Sequence, residues 1–295
     1  MKKTISNGKL RISVDDMGAE LCEIYDLEEN RAVLWDGNPD WWAGFSPLLF
    51  PNCGLLMNNS FIYEGKTYTQ PNHGFAKSTL FEFAGMDERS ITFRLQDTAE
   101  TRANYPFSFQ MEVTHRLENK SVQVEWKVTN LGNKTMPFSI GGHSAFCTIP
   151  TKDGAGHAGC YLVFDAGGEK VYQQKTFPGS GPLSLQRKKL PTEDGRVRLT
   201  ADFFNNDLLL FENQTQSMGL ADENGKLFVM VRFSGFPVVV AWAKPNAPFV
   251  CIEPWFGSPD EEGFTGSLTE RKNILLLPAG ETWAACYTIE SIGRE

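Results

Sequence analysis

The 295-residue sequence predicts an all-β protein built from antiparallel sheets. Residues 121–129 alternate between apolar and polar side chains, and residues 107–117 repeat the same two-residue period, which is typical of half-buried strands. A turn-forming stretch, residues 118–120, joins them. Repeated hairpins without segments of helical period favour an antiparallel architecture over βαβ units.

The first part of the chain is predicted to form short strands separated by turns. Apolar runs occupy residues 10–14, 19–25 and 33–35, and the Gly, Asn and Asp residues between them are turn formers. Residues 41–54 contain two prolines and are expected to be an irregular loop, because proline cannot donate a hydrogen bond within a central strand. Residues 61–68 predict a hairpin with a Glu-Gly-Lys turn.

The second part of the chain alternates a loop-rich segment with strongly apolar runs. Residues 169–196 are rich in Gly, Pro, Lys and Gln and are expected to form a loop-bearing excursion from the sheet. Residues 227–233 and 238–242 predict central strands that are covered on both faces. Further strands are expected at residues 249–257 and 283–289, so that helix is confined to short turns.

Composition and charge exclude several classes of function. The net charge is −8, with 28 basic and 36 acidic residues and no basic run, whereas nucleic acids and anionic membranes are bound by clustered Lys and Arg. No apolar run approaches the ~18 residues of a membrane span, and the N-terminus lacks the apolar region of a signal peptide. A cytoplasmic protein is predicted, and the length allows one large all-β domain or two smaller ones.

Two sequence patterns look like binding motifs but do not predict sites. Residues 154–159 match GxGxxG, yet a turn precedes them and a strand-like run follows, whereas dinucleotide binding needs a helix N-terminus. Cys147, His157 and Cys160 lie close together in sequence, but their spacing matches no zinc template. The six cysteines include no CxxC pair and are predicted to be reduced thiols.

Polar residues beside apolar strands are the candidates for chemistry. His143 lies in a glycine turn within the apolar stretch 138–146, where it is either a proton-transfer group or a satisfied core histidine. Glu253 ends another apolar strand, and a buried carboxylate is costly without a partner or a chemical task. Asp207 precedes an apolar run and is either functional or turn-forming. His115 lies on the apolar face of a strand and is assigned to structure.

Five stretches, taken in order, resemble the aldose 1-epimerase (galactose mutarotase-like) family, and within it the LacX-like branch. Each stretch is a weak signal alone, but the ordered set spans nearly the whole chain. The resemblance implies one large twisted antiparallel β-sandwich domain over residues 1–295, the galactose mutarotase-like supersandwich, with an open sugar cleft on its concave sheet. The stretches are Pro71–Ala76, Tyr105–Phe107, Pro137–Phe146, Asn206–Asp207 and Glu253–Gly257.

The same resemblance implies an aldose 1-epimerase (mutarotase) that interconverts the anomers of a free hexose. His143 would protonate the ring oxygen and Glu253 would take the proton of the C1 hydroxyl, which are tasks suited to an imidazole and a carboxylate. No metal or organic cofactor is implied. The substrate-binding residues would be His73, Asp207, Trp255 and Lys77.

Two departures from the family pattern keep alternative functions open. Leu55 stands where relatives usually carry an arginine, and Lys77 replaces a second one. Leucine has no donor for sugar oxygens, which favours a carbohydrate-binding protein without turnover. A mutarotase for hexose phosphates is the other alternative, although a phosphate favours clustered Lys and Arg and only Lys77 lies near a motif. The sequence predicts neither the sugar nor the oligomeric state.

Overall fold

The computed structural model describes residues 1–154, 156–177 and 180–293, and it confirms the all-β prediction. Within these residues the strands pair in antiparallel sheets, and the helical content is one short α-helix with three single 3₁₀ turns. Helix α1 (Ala99–Asn104) begins at Thr98, whose side chain accepts a hydrogen bond from the Thr101 amide, as is common for helix N-caps. No described helix is long and apolar enough to cross a membrane.

The strands follow one another with short connections along most of the chain. In chain order they are β1 (Lys3–Ser6), β2 (Leu10–Val14), β3 (Leu21–Asp26), β4 (Arg31–Ala32), β5 (Leu48–Leu49), β6 (Ser60–Tyr63), β7 (Lys66–Thr69), β8 (Glu82–Met86), β9 (Ser90–Gln96), β10 (Phe109–Glu118), β11 (Ser121–Asn130), β12 (Met136–Phe138), β13 (Ile140–Gly142), β14 (Ser144–Cys147), β15 (Tyr161–Phe164), β16 (Lys170–Tyr172), β17 (Lys175–Phe177), β18 (Ser180–Leu183), β19 (Lys188–Leu190), β20 (Arg196–Arg198), β21 (Leu209–Glu212), β22 (Ser217–Ala221), β23 (Leu227–Arg232), β24 (Val238–Trp242), β25 (Phe249–Phe256), β26 (Leu275–Leu277) and β27 (Thr282–Ser291). The 3₁₀ turns are Met57–Asn59, Ala76–Ser78 and Leu268–Glu270.

Two large sheets dominate the architecture. A nine-stranded sheet has the order β20-β15-β22-β23-β27-β11-β10-β9-β8, and a six-stranded sheet has the order β21-β24-β25-β13-β5 with β14 also paired to β25. A four-stranded sheet, β1 to β4, and several two-stranded pairs complete the fold. The long alternating strands β10 and β11 pair in register over their whole length, as their two-residue period predicts.

The main hydrophobic core lies between the two large sheets, and β25 shows how the sequence separates core from site. Val250 and Ile252 point into the main core, whereas Cys251 and Trp255 belong to smaller clusters on the opposite face. Glu253 shares that opposite face because side chains alternate along a strand. The six-stranded sheet therefore carries one apolar face toward the core and a second face that is available for a pocket.

Most strand predictions are confirmed, and the differences are local. Residues 33–35 were expected to form a strand, but the structure has β4 just before them and a bridge from Leu34 to Phe146. The excursion at residues 169–196 carries the short pairs β16–β19 and β17–β18, and its residues 178–179 lie outside the described residues. Of the GxGxxG pattern, Ala155 lies outside the described residues, and the others form turns that lead into β15.

Candidate active site

A pocket of about 290 Å³ opens on the outer face of the six-stranded sheet. It brings together all six residues that the sequence singled out as catalytic or substrate-binding, although they are scattered along the chain. Four further polar or aromatic residues complete the wall, and Pro47, Leu49 and Leu208 add apolar surface. The six are His73, Lys77, His143, Asp207, Glu253 and Trp255, and the four are Trp42, Asn72, Lys175 and Trp242.

His143 lies between β13 and β14, so its backbone is held on both sides by the sheet. Its amide donates to the Pro47 carbonyl at 3.1 Å. The imidazole stacks on Trp42 with ring centroids 5.1 Å apart and meets the edge of Trp242 at 5.7 Å. Burial lowers the pKa of His143 to about 3. The stacked ring is thus held in one orientation, and burial favours its neutral form.

Glu253 faces His143 from the neighbouring strand. Its Oε2 lies 3.3 Å from His143 Nε2, and Glu253 is only 1% exposed. Oε2 has no hydrogen-bond partner among the described residues. Burial, reinforced by the negative charge of Asp207, raises the pKa of Glu253 well above its usual range. Burial lowers the pKa of His143 and raises that of Glu253. The pair therefore favours a neutral imidazole beside a protonated carboxyl group, which holds one transferable proton.

His73 is held in a single tautomer by its backbone surroundings. Its Nδ1 accepts a hydrogen bond from the Gly54 amide at 3.1 Å, and burial lowers the pKa of His73 well below its usual value. A neutral imidazole that accepts at Nδ1 carries its proton on Nε2. The ring lies edge to face with His143, at 5.4 Å between centroids, and with Trp255 at 5.9 Å. His73 therefore offers one N–H donor beside His143.

Asp207 and Lys175 form an ion pair at the pocket, with Nζ 2.9 Å from Oδ2. Asp207 adopts the left-handed backbone conformation, with φ +74°, which is uncommon for a residue other than glycine. Lys175 begins β17, in the loop-rich excursion. Lys175 is not predictable from the sequence, because no motif or period distinguishes it from the other lysines of that segment.

Lys77 is the second ammonium group of the pocket. It lies in the 3₁₀ turn that follows the His73 motif and is half-buried. Burial lowers the pKa of Lys77, whereas the nearby Glu20 carboxylate raises it. Lys77 was predicted near the site, and the structure adds Lys175 to the same pocket.

A glycine before His143 lets Trp255 form part of the pocket floor. A Cβ atom on Gly141 would lie 2.3 Å from Trp255 Cδ1, which is closer than real Cβ contacts, and 3.1 Å from Cys53 Sγ, which is a tight contact. Trp255 is 1% exposed, while Trp42 and Trp242 are half-buried. The two latter rings were not predicted as site residues, and they present more aromatic surface to a ligand than Trp255 does.

His115, which was assigned to structure, and Leu55 lie outside the pocket lining. His115 is buried with Nε2 3.0 Å from the Ala19 carbonyl and is absent from the described pocket lining. Leu55 is also absent from that lining, and its carbonyl accepts a hydrogen bond from the Asp260 amide. All six cysteines lie in the described part of the chain and are free thiols, as predicted.

Comparisons with known proteins agree on one family. The family profile described as Aldose 1-epimerase matches residues 1–156. Protein LacX of Lactococcus lactis subsp. lactis is 32% identical over 263 residues, which cover 86% of this chain and 87% of LacX.

Solved structures show the same likeness over nearly the full chain. A galactose mutarotase related enzyme from Lactobacillus acidophilus is 31% identical with a TM-score of 0.92, covering 99% of this chain and 98% of its own. A galactose mutarotase-like protein from Lactobacillus casei is 26% identical with a TM-score of 0.89, covering 98% and 99%.

Proposed function

The chain belongs to the aldose 1-epimerase family, and we propose that it interconverts the α and β anomers of a free aldohexose. One observation carries this proposal: His143 Nε2 and Glu253 Oε2 lie 3.3 Å apart in a pocket that can hold one monosaccharide. The ring oxygen and the C1 hydroxyl of an aldose are bonded to the same carbon. An acid and a base that serve these two oxygens must therefore lie within a few ångströms of each other.

The reaction needs one proton to move in each direction. In the charge-separated form of the pair, the Glu253 carboxylate takes the proton of the C1 hydroxyl while the His143 imidazolium gives a proton to the ring oxygen, which breaks the bond between C1 and that oxygen. Rotation about the C1–C2 bond then presents the other face of the aldehyde. Ring closure reverses both transfers, so the enzyme returns to its starting protonation state. The neutral form of the pair and its charge-separated form differ only in where one proton sits.

The remaining polar residues fit the binding of sugar hydroxyls. His73 would donate from Nε2, the Asp207 carboxylate would accept, and Lys175 would hold that carboxylate in place. Trp42 and Trp242 would cover the apolar C–H face of the ring, as aromatic side chains commonly do in sugar sites. Trp255 would support His73 from below.

A hexose that carries an anionic group is the second candidate substrate. The observation in its favour is that Lys77 and Lys175 both line the pocket. Two ammonium groups would bind a phosphate more strongly than one. The Lys175 ammonium is already paired with Asp207, which reduces the positive charge that remains for a substrate. For this reason the free hexose is the preferred substrate class.

Anomer exchange measured by NMR tests the proposal directly. Freshly dissolved glucose and galactose, and their 6-phosphates, are followed with and without the protein. We expect faster exchange of at least one free hexose. Faster exchange of the 6-phosphates alone would favour the second candidate. Binding of a sugar without any acceleration over buffer would refute the enzymatic function.

A further inference from the structure

Three side chains of different chemistry converge at the wall of the pocket, which His143 and Glu253 line, and are suited to a metal ion. A ring nitrogen of His143, the thiol of Cys251 and a carboxylate oxygen of Glu253 all lie within 4.8 Å of one another, and all three residues are buried. Cys251 and Glu253 are two positions apart on β25 and so share one face of the strand. We propose that these three residues bind a zinc-type divalent ion, and that the bound ion inhibits the enzyme.

The spacing of the ligand atoms fits tetrahedral coordination. Zinc bonds of about 2.0–2.1 Å to nitrogen and oxygen, at a tetrahedral angle, separate these atoms by about 3.3 Å. His143 Nε2 and Glu253 Oε2 are 3.3 Å apart. The zinc–sulfur bond of about 2.3 Å places sulfur about 3.6 Å from the other two ligands. The ligand atoms lie at most 4.8 Å apart, so the sulfur must move by no more than about 1 Å to reach this ideal distance.

The donor set selects the kind of ion. A thiolate and an imidazole favour zinc and other borderline or soft ions, whereas Mg²⁺ and Ca²⁺ prefer oxygen ligands. Glu253 Oε2 is buried and has no hydrogen-bond partner among the described residues, so an acceptor is available for coordination. Cys251 would bind as the thiolate and Glu253 as the carboxylate, and both would release their protons to the buffer.

The position of the ion decides its effect. Three protein ligands leave one position of a tetrahedral ion for a water molecule. An ion at this place occupies the lone pair of His143 and the carboxylate of Glu253. Neither group can then transfer protons to or from a sugar. The inhibitory effect rests on the proposed mutarotase function, whereas the binding of the ion does not.

Cobalt binding provides a test that is independent of activity. Chelator-treated full-length protein is titrated with Co²⁺, whose complex with a thiolate absorbs in the near ultraviolet, and Zn²⁺ is then added as the competitor. We expect one Co²⁺ per chain and displacement by Zn²⁺. Mutation of a residue that only hydrogen-bonds to a metal ligand typically lowers metal affinity about 10- to 100-fold. Cys251→Ala removes a ligand itself, so it should abolish the absorption band and weaken Zn²⁺ binding at least ~100-fold. Cys286→Ala is the matched control, because Cys286 is exposed, and it should leave the band unchanged.

Turnover measured at increasing Zn²⁺ tests the inhibitory effect. Zn²⁺ should inhibit the wild-type protein over the range in which it displaces Co²⁺. Measured relative to its own turnover without metal, Cys251→Ala should require at least ~100-fold more Zn²⁺ for inhibition. If the wild-type protein shows no mutarotase activity, the proposed function fails while the cobalt band still decides whether the metal site exists.

Several outcomes would overturn the proposal. The proposal fails if Co²⁺ does not bind in a 1:1 ratio or if the absorption band survives in Cys251→Ala. It also fails if Zn²⁺ inhibits the wild type and Cys251→Ala equally. If Cys251→Ala does not fold, zinc X-ray absorption of the wild-type complex replaces it. One sulfur at about 2.3 Å with nitrogen and oxygen at about 2.0 Å supports the site, and a shell without sulfur refutes it.

Discussion

Lys175 and Asp207 form an ion pair with Nζ 2.9 Å from Oδ2, although one begins a short strand of the excursion and the other lies in the turn before β21. Both side chains are largely buried, with 14% and 7% exposure. A pair of this kind holds the carboxylate in one orientation and keeps its charge balanced. The pocket that holds His143 and Glu253 thereby gains a fixed pair of opposite charges.

Removal of Lys175 should weaken sugar binding more than turnover. We expect Lys175→Met to raise KM about 10- to 100-fold, because hydrogen bonds to charged groups contribute about 1.5–3 kcal/mol, and to change kcat less. Steady-state anomer exchange measures both parameters. Lys189→Met is the control, since Lys189 pairs with Glu169 on the surface of the same excursion. An unchanged KM in Lys175→Met would contradict a binding role for the pair.

Removal of either proton-transfer group should reduce turnover strongly. Glu253→Gln keeps the shape of the side chain but loses the base, and His143→Asn loses the acid. Each is expected to lower kcat by about 10²–10⁴-fold, the usual effect of positioned proton transfer. Calorimetric sugar binding should change far less, because the lost interaction belongs mainly to the transition state.

His115 supplies the matched control for these two variants. It is a buried histidine outside the pocket lining described above. His115→Asn is expected to lower stability while the folded protein keeps its turnover. A loss of turnover in His115→Asn as large as in His143→Asn would count against the assignment of the acid.

The stability of the fold should fall with acid partly through His115. Burial lowers the pKa of His115 in the folded state to about 4, whereas the unfolded chain protonates it near pH 6.5. The unfolded state therefore binds more protons between these values, and stability is lost as pH falls. Tyr287, which faces the same small cavity, stays neutral because burial raises its pKa to about 12.

Denaturant unfolding at two pH values isolates this contribution. The destabilisation caused by His115→Asn should be smaller at pH 4.5 than at pH 7 by on the order of 2–3 kcal/mol. The other three histidines are present in both proteins, so their contributions cancel in the difference. A destabilisation that does not depend on pH would show that His115 is not held neutral in the fold.

A methyl group at Gly141 should disturb the pocket floor. In Gly141→Ala the new Cβ would lie 2.3 Å from Trp255, so the indole must move. We expect a stability loss of about 1–3 kcal/mol, the usual cost of overpacking, together with a change in tryptophan fluorescence. Gly167→Ala is the control, because the nearest atom to its Cβ is 3.6 Å away. Equal stability losses in both variants would contradict this explanation of the glycine.

The parts of the fold that the sequence predicts well are those with a local signal. The two-residue period of β10 and β11 records which face of each strand is buried, so strand and register follow from it. The six site residues were found through ordered motifs, and their meeting in one pocket agrees with the expected cleft. Their chemical roles remain predictions.

The parts that were missed depend on contacts between distant segments. Lys175 reaches the pocket from a segment without periodicity, and Trp42 comes from a proline-containing loop. Nothing in the neighbouring residues of either one distinguishes it from a surface lysine or a core tryptophan. The strand expected at residues 33–35 failed for the same reason, since Leu34 finds its partner Phe146 far along the chain.

The alternation of side chains along β25 links the position of Glu253 at the pocket to the packing of Val250 and Ile252 in the core. A shift of this strand by one residue in register would turn Glu253 toward the interior and bring Val250 and Ile252 to the pocket face, so moving the carboxylate in this way would also break the packing of the core. Lys175 sits on an excursion where loop length is far less constrained. A change of length in β25 would therefore cost folding stability together with the pocket, whereas a change of length in the excursion would alter the ligand contacts of the pocket and leave the core packed.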